Sequence, residues 1–384
     1  MIRLSLFAAL LLVACSSEPL TELGSGLPAT PTASASASSS AATPSPYAME
    51  PARFHQLMDS LSEPDANFFS DNYISNETSY LQVASGLERH VKPDGVYLGV
   101  GPEQNFTYIA LTKPSRAYII DIRRDNLVLQ LLYKALFDMA TDRAHFLALL
   151  TGRPYDTTKP LAQGARIEQV IERAERETAT EASYRAVHDE VLARLGPLDD
   201  KDRRALARTH KAFFDKGLDI AFELKEESFR RYPPLKDLLA ARCPVHGAAK
   251  GFLASEASFR FLQQMQRENR IVPVVGDFAG DRALPNIAEH LKAEKLKVAT
   301  FYVSNVEQYL LVDGAWWKWR RNIGLLPTDD ASLFIRAYLD QGKPHPKQMS
   351  GHRTTTTLHR MAEFQAHEAR YPSMLALATD SVLD

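Results

Sequence analysis

The chain has 384 residues, with 45 Lys and Arg against 47 Asp and Glu and a formal net charge of −2. That balance gives no electrostatic case for nucleic acid or for an anionic membrane surface. Hydrophobic residues make up 45% and charged residues 24%, which are globular values. There are two cysteines, Cys15 and Cys243. If Cys15 is used elsewhere, no intramolecular disulfide can form, and the fold rests on its core.

The first segment sets the cellular context. Arg3, the apolar run Leu4 to Val13 and then Ala14-Cys15-Ser16 have the positive start, short apolar stretch and small residues of a secretory signal. The run falls short of the roughly 20 apolar residues that span a bilayer. Its ending in Ala-Cys resembles the lipobox of bacterial lipoproteins, which implies cleavage before Cys15 and palmitate or a similar acyl chain on its sulfur. Ser16 after the cysteine resembles the pattern that favours outer-membrane over inner-membrane sorting in Gram-negative bacteria. Residues 16–48 are mostly Ser, Ala, Thr, Pro and Gly, too poor in large apolar side chains to offset the entropy of ordering. The expected layout is a signal peptide and lipidation site (1–15), a disordered tether (16–48) and a globular body (49–384). The body would be lipid-anchored in the cell envelope, facing the periplasm or the exterior.

The body opens with apolar residues at helical spacing, Phe54, Leu57, Met58 and Leu61 among them, which predicts lead-in helices over 51–61 and 67–87. Gly95-Val-Tyr-Leu-Gly-Val-Gly-Pro-Glu-Gln-Asn-Phe then reads as strand, glycine turn, helix. Gly99 and Gly101 sit where a strand end turns sharply and lets a ligand approach the backbone. About twenty residues on, Arg116-Ala-Tyr-Ile-Ile-Asp gives a second apolar strand ending in Asp121, an acceptor placed for ribose hydroxyls.

The order of these motifs resembles the class I S-adenosylmethionine-dependent methyltransferases, a Rossmann-like superfamily. Gly99 and Gly101 match its first motif, while Glu103 stands where the third glycine is expected and Tyr97 where many members carry an acid. The resemblance implies that Asp121 holds the ribose. It also implies a third strand in Ile271-Val-Pro-Val-Val, with Asp277 beside the adenine, and a fourth in Val298 to Val303. The end of the fourth strand would face the methyl group with Ser304, Asn305 and Glu307, Glu307 acting as a base if it faces the cleft. Glu103 would pair with the cofactor's amino group or exclude its carboxylate. Leu333 to Leu339 and Arg353 to Met361 read as a later edge hairpin. The chain is also similar to an uncharacterised family of bacterial proteins with a Val-Gly-Pro-Glu-Gln-Asn-Phe turn. The fold class expected is therefore α/β, a Rossmann-like sheet of the class I methyltransferase type, with a long helical insertion over about 126–266 between the second and third strands. That insertion is either a cap packed on the sheet or a lid over the cleft.

Several constellations read as structure. Trp316, Trp317 and Trp319 follow the fourth strand and favour packing over stacking on a ligand. His345, His352, His359 and His367 match no recurring zinc spacing, so no metal is expected. Cys243 with His246 nearby favours a buried thiol over a nucleophile. Gly-x-Ser-x-Gly, Walker A and His-Glu-x-x-His patterns are absent.

Two functional readings stay open. One is a membrane-anchored methyltransferase-like enzyme that positions an acceptor in line with S-adenosylmethionine. The other is a non-catalytic surface or periplasmic binding or interaction protein on the same scaffold, with a protein partner and the cleft filled. S-adenosylmethionine is made in the cytoplasm whereas a lipoprotein body is exported. The exported reading therefore calls for another nucleoside-like ligand or for a fold without the chemistry. An open cleft with Asp121, Asp277 and Asn305 converging favours the enzyme.

Overall fold

The computed structural model describes residues 45–66, 68–224, 231–312 and 314–383. The signal segment, Cys15 and the tether as far as residue 44 lie outside them. Ser45 is already tied to the body, its backbone N–H donating to Glu268 Oε1 at 3.0 Å, and Met49 N–H donates to the Glu268 carbonyl at 2.9 Å.

The four apolar runs are strands: β1 (Val96–Gly99), β2 (Arg116–Asp121), β3 (Ile271–Val275) and β4 (Val298–Ser304). Every residue of β1, β2 and β3 is buried, which requires cover on both faces and explains runs without polar alternation. Pro273 lies in β3. Having no N–H to give, it suits an edge strand, and β3 pairs with β2 alone. The expected hairpin is present as β5 (Leu333–Leu339) and β6 (Thr354–Arg360), antiparallel from Leu333↔Arg360 to Leu339↔Thr354.

The sheet order is β3-β2-β1-β4-β5-β6, the first five strands parallel and β6 antiparallel. This is a mostly parallel six-stranded α/β sheet, an arrangement compatible with the Rossmann-like class. It differs from the order of the class I methyltransferases, because after β5 the chain adds a single strand that folds straight back along its neighbour.

The helices in chain order are α1 (Pro51–Leu61), α2 (Ala84–His90), α3 (Gln104–Thr112), α4 (Arg124–Met139), α5 (Arg143–Leu150), α6 (Ile167–Glu175), α7 (Glu181–Leu195), α8 (Asp200–Lys216), α9 (Leu235–Ala240), α10 (Glu256–Arg267), α11 (Ala283–Ala293), α12 (Val306–Val312), α13 (Trp316–Leu325), α14 (Met361–Ala366) and α15 (Met374–Thr379). Two aromatic groups mark the core. Phe106, Tyr133, Phe137, Phe252 and Phe259 bring α3, α4 and α10 together. Phe278, Phe301, Trp319, Phe334 and Phe364 join α13 and α14 to β4 and β5. Trp316 and Trp319 are fully buried while Trp317 is exposed, so two of the three tryptophans pack.

The stretch between β2 and β3 is helical from α4 to α10. Helix α8 illustrates why. Asp199 caps it by accepting the Asp202 N–H at 2.7 Å, Gly217 ends it at φ +56°, and Leu206, Thr209, His210 and Phe213 bury one stripe. Helices α5, α7 and α8 pack on α4.

The lead-in expectation holds for α1 and fails for much of 67–87. That segment is irregular up to Ser79, then forms a 3₁₀ turn over Tyr80–Val83 before α2. Its small polar side chains bond nearby backbone instead of leaving it to a helix. Ser70 Oγ accepts from Asn72 N–H at 3.1 Å, Ser75 Oγ from Glu77 N–H at 3.2 Å, and Asn72 is left-handed at φ +49°.

Candidate functional site

In a parallel α/β sheet the loops at the carboxyl ends of the strands diverge and leave a crevice. Here that crevice is a cavity of about 530 Å³, within the range of small-molecule sites, roughly 300–1,000 Å³. Its wall takes Gly101 from the turn after β1, Asp121 from the end of β2 and Arg123 just beyond it, Asp277 after β3, and Tyr302 and Ser304 from β4 with Asn305 following. The irregular lead-in closes it with Phe68, Phe69, Ser75 and Glu77, and α12 adds Val306, Tyr309 and Leu310.

Five of the residues expected at the site, Gly101, Asp121, Asp277, Ser304 and Asn305, therefore meet at one cavity. Gly101 has φ +81°, and a Cβ there would meet nothing closer than Asn72 Nδ2 at 3.9 Å, so its bare backbone leaves the cavity open. Asn105 pins the turn. Its Nδ2 donates to the carbonyls of Val100, Gly101 and Pro102 at 2.9, 3.2 and 2.8 Å, and its Oδ1 accepts from Tyr97 OH at 2.9 Å.

Three expected residues stand elsewhere. Gly99 does not line the cavity; a Cβ on it would fall 2.0 Å from Asn105 Oδ1, so its smallness serves the internal turn. Glu103 is buried and turned inward, its carboxylate accepting the Ser75 N–H at 3.2 Å. Burial pushes its pKa up to about 7 against that hydrogen bond. Glu307 is fully buried between Arg336, whose Nε and Nη2 donate to it at 2.6 and 3.0 Å, and Trp319 Nε1 at 3.1 Å. It does not face the cleft, so the condition for its acting as a base is not met: α12 turns it into the core, where it neutralises Arg336.

Asp121 is engaged by its own strand end. Oδ1 accepts Arg123 N–H and Nε–H at 2.9 and 3.1 Å, and Oδ2 accepts Nη2–H at 3.1 Å. A carboxylate has about four lone-pair positions, so one remains on Oδ2 for a ligand hydroxyl. Asp277 is exposed and accepts the Ala279 N–H at 2.8 Å. Ser304 ends β4 at φ +51° beside a register shift, strained backbone of the kind that gathers at functional sites. Its hydroxyl donates to Glu77.

Glu77 is the residue that sequence reasoning missed. It lines the cavity yet is only 1% exposed. Tyr302 OH donates to its Oε1 at 2.8 Å, Ser304 to the same oxygen, and Gln104 Nε2 to Oε2 at 3.0 Å. Burial raises its pKa, against the hydrogen bonds from Ser304, Gln104 and Tyr302. The one cation on the described wall, Arg123, is committed to Asp121, so nothing on that wall compensates Glu77. No local pattern announces it, because its segment reaches the strand ends only through the fold. Tyr302 and Ser304 are legible as alternate residues on one face of β4.

The insertion contributes no described residue to the wall. Its helices α5, α7 and α8 pack on its own first helix α4, and the bridge Ser70↔Leu224 ties it to the lead-in segment, whose residues line the cavity. Among the described residues no group of three or more His, Cys, Asp or Glu is placed to hold a metal. His345 Nε2–H donates to the Ala378 carbonyl at 3.0 Å and His359 Nδ1–H to that of Asp380 at 2.9 Å. Cys243 is fully buried. No described helix is long and apolar enough to cross a membrane.

No curated protein matches the chain. The model of a family described as a domain of unknown function, DUF7790, matches residues 73–214 and 232–381, from Tyr73 in the rim to β6 and beyond, and the chain belongs to that family.

Proposed function

We propose that the protein binds a nucleoside-bearing small molecule in the carboxyl-edge cavity, and that the reaction served there is methyl transfer from S-adenosylmethionine. The observation that carries the reading is the convergence of Gly101, Asp121, Asp277, Ser304 and Asn305 on one open cavity of about 530 Å³. Tyr97 and Glu103, the side chains that would fill it in a scaffold without a ligand, are buried behind it.

The residues present fit the ligand. Gly101 leaves room at the turn, the free lone pair of Asp121 Oδ2 suits one ribose hydroxyl, and Asp277 stands at the end of β3. When bound, S-adenosylmethionine supplies an electrophilic methyl group on a cationic sulfonium. Burial raises the Glu77 pKa, and a cation placed beside it would favour its charged form, so the two would stabilise each other. The Glu77 carboxylate also stands ready to hold the proton that an acceptor amine or hydroxyl gives up. Ser304 and Tyr302 fix that carboxylate, and Asn305 orients the acceptor. Positioning and exclusion of water then carry the rate. We extend the proposal to the N-terminus: Cys15 carries the lipid that holds the body in the cell envelope.

Calorimetric titration of the full chain with S-adenosylmethionine and its demethylated product tests the reading. Micromolar binding is expected, weakened at least about tenfold by Asp121→Ala, the loss of roughly one hydrogen bond to a charged group. Glu77→Gln should weaken the sulfonium more than the neutral product. No binding at millimolar ligand sinks the proposal in favour of the scaffold.

A further inference from the structure

The described surface exposes few large apolar side chains: Phe69 43%, Val245 72%, Val312 80%, Trp317 58% and Leu325 36%. Phe69 lies on the lead-in and Val312 on α12, two segments that line the cavity, whereas Trp317 and Leu325 lie on α13, which follows the lining residue Ala315. Phe69 itself lines the mouth of the cavity, with its ring centroid 6.1 Å from that of Tyr309. Val312 follows Tyr309 by three residues on α12, hence on the same side of the helix.

Helix α13 separates its faces sharply. Trp316, Trp319, Asn322 and Ile323 are buried, whereas Trp317, Lys318, Arg321 and Leu325 face out. A projecting tryptophan among long cationic side chains is the composition of a membrane-interface belt. The basic side chains are partly occupied, since Lys318 and Arg321 both pair with Asp281. The rings and Val312, not net charge, would therefore carry the attachment.

We propose that the mouth of the cavity is a membrane-docking face, seated on a phospholipid bilayer through Phe69, Val312 and Trp317, so that an amphiphilic acceptor enters from the lipid. The inference rests on the anchor proposed above and not on the identity of the methyl donor. The 29 residues 16–44 between Cys15 and the described body span up to about 100 Å when extended. The body is about 50 Å across for its length, so the tether lets any face reach the surface. What selects this face is that Phe69 lines the cavity of about 530 Å³ and that Val312 and Trp317 stand three and two residues from its lining residues Tyr309 and Ala315, while the wall itself is rich in Phe68, Ile120, Phe278 and Leu310.

The full chain reconstituted in phosphatidylcholine vesicles with brominated acyl chains tests the proposal, because Trp316 and Trp319 are buried and Trp317 is the exposed reporter. Flotation reads the anchor; tryptophan quenching reads the dock. The expected result is flotation with quenching that disappears in Trp317→Phe and in Val312→Asp. Val245→Trp combined with Trp317→Phe should float unquenched. Flotation without quenching of the unaltered chain overturns the dock and leaves the anchor standing. Quenching of the Val245→Trp reporter, or quenching that persists in Trp317→Phe, assigns another face. A chain that neither floats nor is quenched overturns both.

Discussion

Glu103 titrates where it affects folding. Its pKa rises from 4.5 to about 7, chiefly through burial, so the folded state holds a proton that the unfolded chain releases from about pH 4.5 upward. Stability is therefore fully present below that pH and falls as pH rises through 7, by about 3 kcal/mol. Denaturant unfolding from pH 4.5 to 8 should show that decline, and Glu103→Gln should flatten it. Glu307 presents the opposite case, a buried carboxylate with a full partner. Arg336→Met strands it and should cost about 3–5 kcal/mol, whereas Glu307→Gln with Arg336→Met should recover much of the loss. Chemical denaturation of the two variants separates the stranded charge from the lost pair.

At the scale of elements, the turn between β1 and α3 is the part whose sequence and geometry agree best. Gly-x-Gly was readable because a strand end with φ +81° at Gly101 excludes most side chains. What was not readable is that Asn105 holds the turn from below with four hydrogen bonds. Asn105→Ala takes the partner from Tyr97 OH and the Val100 carbonyl, while the Gly101 and Pro102 carbonyls keep Gln130 Nε2 and the residue-105 N–H; it should destabilise by about 2–4 kcal/mol, read as a lower denaturant midpoint. Gly101→Ala keeps those bonds and strains one residue, costing about 1–2 kcal/mol. It should lower affinity for the cavity ligand more than it lowers stability, since its Cβ adds to the wall.

For the molecule as a whole, the described body is held by its core. Cys243, the one cysteine in it, is fully buried and free. The unfolding midpoint should be the same with and without a thiol reductant, and Cys243 should resist thiol reagents until the chain unfolds. A midpoint that falls on reduction would mean that Cys243 has a partner outside the described residues. Helices α5, α7 and α8 are part of that core through their packing on α4, and the insertion is tied to the lead-in segment by the bridge Ser70↔Leu224, by Ser70 Oγ donating to the Glu223 carbonyl at 2.6 Å and by Tyr73 against Phe213.

The strands were legible in the sequence because each is a continuous apolar run, which a sheet covered on both faces demands, and because each ends in a turn residue or an acid. Gly101, Asp121, Asp277, Ser304 and Asn305 followed, since strand ends of a parallel sheet share one rim. The tertiary structure alone decided which polar groups face that rim. Glu103 and Glu307 turn inward, Arg123 folds back on Asp121, and Glu77 arrives from a segment with no local signature. Periodicity says where an element lies along the chain. Which carboxylate is spent on an internal partner, and which stays uncompensated in an open cavity, depends on neighbours that only folding brings together.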